Sequence, residues 1–145
     1  MFGVKRALLR WCGLKIGNDV RVASSAKFLS NGSINIGDRT WIGHDTMIVG
    51  GDAPIQIGAD VDIAPRVLIV SGSHVPQPGM HKAAGPGFSL PIIIGDGCWI
   101  GANATVLGGT EIGHSTIVAA GSLVRGKLGS GLTYAGVPAR SAGEV

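Results

Sequence analysis

An all-β solenoid, in which very short parallel strands wind around a triangular core, is the fold this sequence predicts. Three observations predict it. The first is a six-residue clock: Ile94, Ile100, Val106, Ile112, Val118 and Val124 are evenly spaced aliphatics. The second is the company they keep. A small residue usually follows each at once (Gly95, Gly101, Gly113, Ala119), and another comes four places on (Cys98, Ala104, Thr110, Thr116, Ser122). The third is composition: 25 glycines in 145 residues, against three Phe, three Trp and one Tyr, supply many tight corners and little bulk. Six is neither the helical period nor the bare strand period of two, but it is a multiple of two. A strand with one inward aliphatic, followed by a corner, generates it, and three such faces close an 18-residue coil.

The elements follow in order. Residues 1–15 form an N-terminal cap, with a short amphipathic helix expected over 4–12. Residues 16–126 form the β-helix. Its clock runs through Ile16, Val22 and Phe28, then Ile36, Ile42 and Ile48, then Ile57, Ile63 and Ile69, before the series from Ile94. The blocks make about five coils, hence a prism about 24 Å long at the spacing of stacked strands. Two interruptions break the clock. Gly50 to Pro54 adds three residues, and 25 positions separate Ile69 from Ile94 where six would suffice. The longer surplus must leave the prism as a loop, set at 75–91, and a long loop in a compact domain points to function. Residues 127–145 lose the clock and are expected to fold back as a cap or short helix.

Composition excludes several classes. Two cysteines, Cys12 and Cys98, give no disulfide framework, and no run of about 20 apolar residues is present to span a bilayer. The N-terminal segment lacks the apolar core and cleavage site of a secretory signal, so cytoplasmic residence is the expectation. Five cations between Lys5 and Arg21 face only Asp19. Such a patch suits a solvated cap, or peripheral contact with a membrane surface or lipid-linked substrate, and no nucleic-acid motif accompanies it. No P-loop or dinucleotide-binding glycine motif occurs.

Assigning one inward residue per face puts His74 at the corner between the third and first faces, at the root of the long loop. An imidazole there suits proton removal near neutral pH. A carboxylate or a backbone carbonyl on its other nitrogen would fix the tautomer; Asp52 is the first candidate and Glu111 the second. Trp41, Asp62 and Trp99 share one outward column between the first and second faces. A neighbouring subunit is expected to cover Trp41. His44 and Asp45 point outward and are candidates for acceptor contact, as is His81 within the loop. The low bulk of Ala119, Ala120, Gly121 and Ser122 would let a flexible arm lie along the backbone, with Lys127 and Arg140 as phosphate partners.

Three segments carry a family resemblance. Asp62-Ile63-Ala64-Pro65 with Ser71-Gly72-Ser73-His74, then Ile94-Gly95-Asp96-Gly97-Cys98-Trp99-Ile100-Gly101, then Gly121-Ser122 with Ala135-Gly136-Val137-Pro138-Ala139-Arg140, resemble the hexapeptide-repeat acyltransferases. The similarity spans about residues 32–140 and points to the branch of maltose, galactoside and exopolysaccharide O-acetyltransferases. The resemblance implies a left-handed helix, against the usual right-handed crossover. It implies acetyl-CoA as donor, a homotrimer with sites between subunits, Trp99 beside the coenzyme and His74 as general base in direct transfer to a sugar or glycan hydroxyl, with no metal. Amino-sugar N-acetylation and a non-enzymatic solenoid are the alternatives. Gly43 stands where the sugar acetyltransferases carry an acceptor-site asparagine. The zinc-ligand histidine spacing of γ-class carbonic anhydrases, which share the solenoid, is absent.

Overall fold

The computed structural model describes residues 2–142. Helix α1, Phe2–Trp11, is followed by short strands that stack into three parallel sheets, the faces of a left-handed prism. The first face stacks Lys15–Ile16, Ile34–Ile36, Ile55–Ile57, Ile92–Ile94, Glu111–Ile112 and Lys127–Leu128. The second stacks Arg21–Val22, Trp41–Ile42, Asp62–Ile63, Trp99–Ile100, Ile117–Val118 and Thr133–Gly136, with Ala139–Ser141 antiparallel at its end. The third stacks Lys27–Ser30, Met47–Gly50, Leu68–Val70, Thr105–Leu107 and Leu123–Val124.

Each place in the hexad has a steric reason. The aliphatic points inward, and Ile42, Ile48, Ile63, Ile69 and Ile100 are fully buried. The next residue meets the adjacent coil: a Cβ on Gly101 would lie 2.5 Å from the backbone nitrogen of Ala120. The third residue after the aliphatic turns the corner in the left-handed region, where Asp19, Arg39, Asp45, Asp60, Arg66, Asn103 and Ser115 have φ between 53° and 60°. The fourth points back inside and must be small. Cys98, Ala104, Thr110, Thr116 and Ser122 are all buried there. Threonine is tolerated because its hydroxyl reaches backbone: Thr116 Oγ1 donates to Gly129 O at 2.8 Å, and Thr40 Oγ1 to Gly58 O at 2.8 Å.

The ends differ from expectation. Strands continue past residue 126, with Lys127–Leu128 pairing Glu111–Ile112 and Thr133–Gly136 pairing Ile117–Val118. Beyond 126 the described residues contain no helix. Leu128 comes only four residues after Val124, so a six-residue count steps over it although it is buried in the first-face column. Residues 143–145 of the expected cap lie outside the described residues. The long loop is itself ordered: Gly72–Pro76 and Ala84–Ser89 pair as an antiparallel hairpin that leaves the prism at the corner between the third and first faces.

Candidate active site

The hairpin positions His74. Its register runs Gly72 opposite Ser89, Ser73 opposite Phe88 and His74 opposite Gly87, then shifts so that Pro76 faces Ala84. That irregularity is a bulge carrying Gly85 and Pro86 on the second strand. The Gly85 carbonyl oxygen lies 2.9 Å from His74 Nδ1. A side chain at Gly85 would crowd Gln77 and the Val75 carbonyl, so glycine lets the bulge close this tightly. A carbonyl oxygen only accepts, so Nδ1 carries the proton and Nε2 of the neutral ring holds the lone pair. The group that orients His74 is therefore the Gly85 carbonyl, not the expected Asp52 carboxylate. Glu111 is further from the expectation: it lies on the first face and pairs with Lys127 at 3.2 Å.

Asp52 nevertheless shares a cleft with His74. The cleft has a volume of about 470 Å³, and its walls include Val49, Gly51, Asp52, His74, Gly87 and Phe88. The two insertions brace one another, since Ala53 N donates to Ser89 Oγ at 3.0 Å. Phe88, 42% exposed, offers an aromatic surface there that nothing in the repeat spacing signals. A second cleft of about 310 Å³ lies toward the C-terminal end, between the hairpin base and Arg125. Arg125 occupies the place after Val124 where the hexad normally has a small residue, and that departure is its signal in the sequence.

The remaining candidates are not gathered around His74. Trp99, 54% exposed, sits in register between Asp62 and Ile117 on the second face. Ala119, Ala120 and Gly121 turn the corner from the second face to the third, while Ser122 is buried and its hydroxyl accepts the Gly136 N–H at 3.1 Å. In a three-sided prism the second face lies opposite the corner that bears His74. Lys127 is bound to Glu111, and Arg140 is exposed on the terminal strand. His44 accepts or donates at Ser25 Oγ, 3.3 Å away, and the Asp45 N–H donates to the same hydroxyl. Both belong to the corner between the second and third faces. His81 lies exposed in the hairpin turn. Trp41 is half-buried, with the Arg21 guanidinium 5.3 Å above its ring. Among the described residues no group of three His, Cys, Asp or Glu side chains converges as a metal site.

Comparison with known proteins bears on this geometry. The bacterial transferase hexapeptide (six repeats) family model matches residues 91–126. The chain is 33% identical over 133 residues to WcaF of Escherichia coli (strain K12), which is provisionally named a colanic acid biosynthesis acetyltransferase, covering 91% of this chain and 70% of WcaF. The hexapeptide-repeat acetyltransferase VCA0836 of Vibrio cholerae, in complex with acetyl coenzyme A, matches with a TM-score of 0.85 at 30% identity, over 97% of this chain and 76% of that one. A galactoside acetyltransferase in complex with coenzyme A matches with a TM-score of 0.82 at 31% identity, over 97% and 70%. The chain spans 54% of YJL218W of Saccharomyces cerevisiae, to which it is 34% identical over 108 residues, and its coverage of curated relatives ranges from 42% to 70%.

Proposed function

Since the chain belongs to the hexapeptide-repeat acetyltransferase family, we propose that it transfers the acetyl group of acetyl-CoA to a hydroxyl of a sugar or polysaccharide precursor, with His74 as general base. The observation that carries this reading is the Nδ1 contact to the Gly85 carbonyl, which leaves Nε2 as the basic atom. The acceptor hydroxyl donates to Nε2 as its oxygen attacks the thioester carbon. The tetrahedral intermediate collapses, the acetyl–sulfur bond breaks, and the coenzyme thiolate takes the proton back from the imidazolium. The product is an acetyl ester and free thiol, with no acyl-enzyme. The Gly85 carbonyl accepts a hydrogen bond from Nδ1–H throughout and stabilises the imidazolium as it forms.

Asp52 and Phe88 share the cleft with His74 and suit a sugar: the carboxylate accepts from ring hydroxyls, and the aromatic surface packs against the carbon face of the ring. The donor lies along the second face, past Trp99 and the backbone of Ala119 to Gly121. Because that face is opposite His74 within one chain, the complete site uses two chains of a homotrimer. The outward side of the third face supports such packing. Leu29, Met47, Val49, Leu68, Val70 and Leu107 form two adjoining apolar columns there.

The test is thiol release from acetyl-CoA across a panel of sugars, sugar nucleotides and glycan fragments, with mass spectrometry of each product. An acetylated acceptor that loses its acetyl group in hydroxylamine is the expected ester. A hydroxylamine-resistant amide, or no transfer to any hydroxyl acceptor, would overturn the assignment.

A further inference from the structure

Helix α1 has two apolar sides, and the prism uses only one. Leu9 packs against the core. The helix is tied down from that end by its own cations: Lys5 Nζ donates to the carbonyls of Ala23, Ser24 and Ala26 at 2.6, 2.7 and 2.8 Å. Arg10 adds bonds to Ile16 O at 2.9 Å and Gly17 O at 2.7 Å. These bonds fix which side of the helix faces out. On that outer side Val4, Leu8 and Trp11 recur at helical spacing and are 68%, 56% and 86% exposed. A helix that served only as a cap would carry polar residues there.

The charge around the stripe has one sign. The helix contains no acidic residue, and it packs on the strands that bear exposed Lys15 and Arg21. Between Lys5 and Arg21 five cations meet a single carboxylate, Asp19. Ten helical residues extend about 15 Å, about half of the hydrocarbon thickness, and among the described residues no helix is long and apolar enough to cross a membrane. A short helix with Leu and Trp on its free side and cations around it has the chemistry of an interfacial anchor. We propose that α1 docks the end of the prism onto an anionic lipid surface, with Val4, Leu8 and Trp11 in the acyl boundary and the exposed Lys15 and Arg21 of the strands beneath it among the headgroups.

The test uses the full chain and vesicle flotation, which reads binding independently of any transferase activity. Wild type should float with phosphatidylcholine vesicles containing about a quarter phosphatidylglycerol and not with phosphatidylcholine alone. Raising salt from about 0.1 M to about 0.5 M should weaken the partition. The double variant Leu8→Ser/Trp11→Ser should lose at least about tenfold in partition, with an unchanged thermal midpoint. A blue shift of tryptophan emission on adding anionic vesicles, absent in Trp11→Phe, would support the same placement. No flotation with anionic vesicles would overturn the proposal, as would flotation undiminished in the double variant. So would a wild-type assembly, measured by light scattering, whose mass falls in the double variant, because the stripe would then be an interface between copies of the chain.

Discussion

The prism and the hairpin that leaves it are built on opposite terms. Inside the prism each of the six places in the repeat is constrained by contact with the coils above and below. The hairpin is mostly exposed, and the bond that matters most in it, His74 Nδ1 to Gly85 O, is made by a backbone carbonyl at an irregular register. The contrast is that this chain keeps its buried core in the stack and the proposed base on a projection from it. Changes in the stack should therefore unfold the protein, and changes in the hairpin should silence it while leaving it folded.

The largest effect expected is from Gly101→Val. The new Cβ would meet the backbone of Val118, Ala119 and Ala120, none of which can move without opening the stack. Loss of more than about 4 kcal/mol, or no folded protein at all, is the expected outcome in urea unfolding. Gly85→Val sharpens the comparison from the other side. It should displace the carbonyl that orients His74 and lower turnover by about ten- to a hundredfold, with the unfolding midpoint held within the range of surface substitutions.

A third experiment asks whether one chain suffices. If His74 of one chain serves the donor on the second face of another, His74→Ala and Trp99→Ala chains should each be weak alone. Refolded together in equal amounts, they should recover to about a quarter of wild-type activity, the fraction of interfaces holding both intact residues under random mixing. Activity equal to the average of the separate variants would place each site within a single chain.

The smallest effect belongs to the exposed ion pair of Arg39 and Asp60, bonded at 2.7 and 2.6 Å. The Arg39 guanidinium holds the Asp60 carboxyl below its ordinary value. A depressed folded-state value means that the pair contributes above the ordinary carboxylate range and that its contribution fades as pH falls through the depressed value. Asp60→Asn should therefore lower the unfolding midpoint slightly at pH 7, and the gap from wild type should close on acidification. A constant gap in parallel unfolding series would contradict that electrostatic origin.

The same contrast explains what could be read from sequence. Ile94 to Val124 announced their column because the inward aliphatic recurs every six positions without a break, followed in four of the six places by a small residue. His74 was legible because it opens the surplus after Ile69. Its partner was not, because Gly85 acts through a carbonyl that every residue possesses, and only the bulge turns it toward the ring. Asp52 lay at the correct corner and lines the cleft, but chain proximity along the prism does not specify hydrogen bonding. Leu128 escapes a six-residue count because the last coil shortens, and Phe88 gives no signal because the spacing assigns the loop no register. Ser122 fitted the small-residue column, which is why its hydroxyl is turned inward to Gly136 rather than outward to a ligand.

The most direct test of the central claim compares wild type and His74→Ala for acetyl transfer to the acceptor found in the panel, with acetyl-CoA binding and thermal unfolding measured on both. A loss of turnover of about a hundred- to ten-thousandfold is expected, with coenzyme binding and stability retained. Undiminished transfer by His74→Ala would contradict the claim.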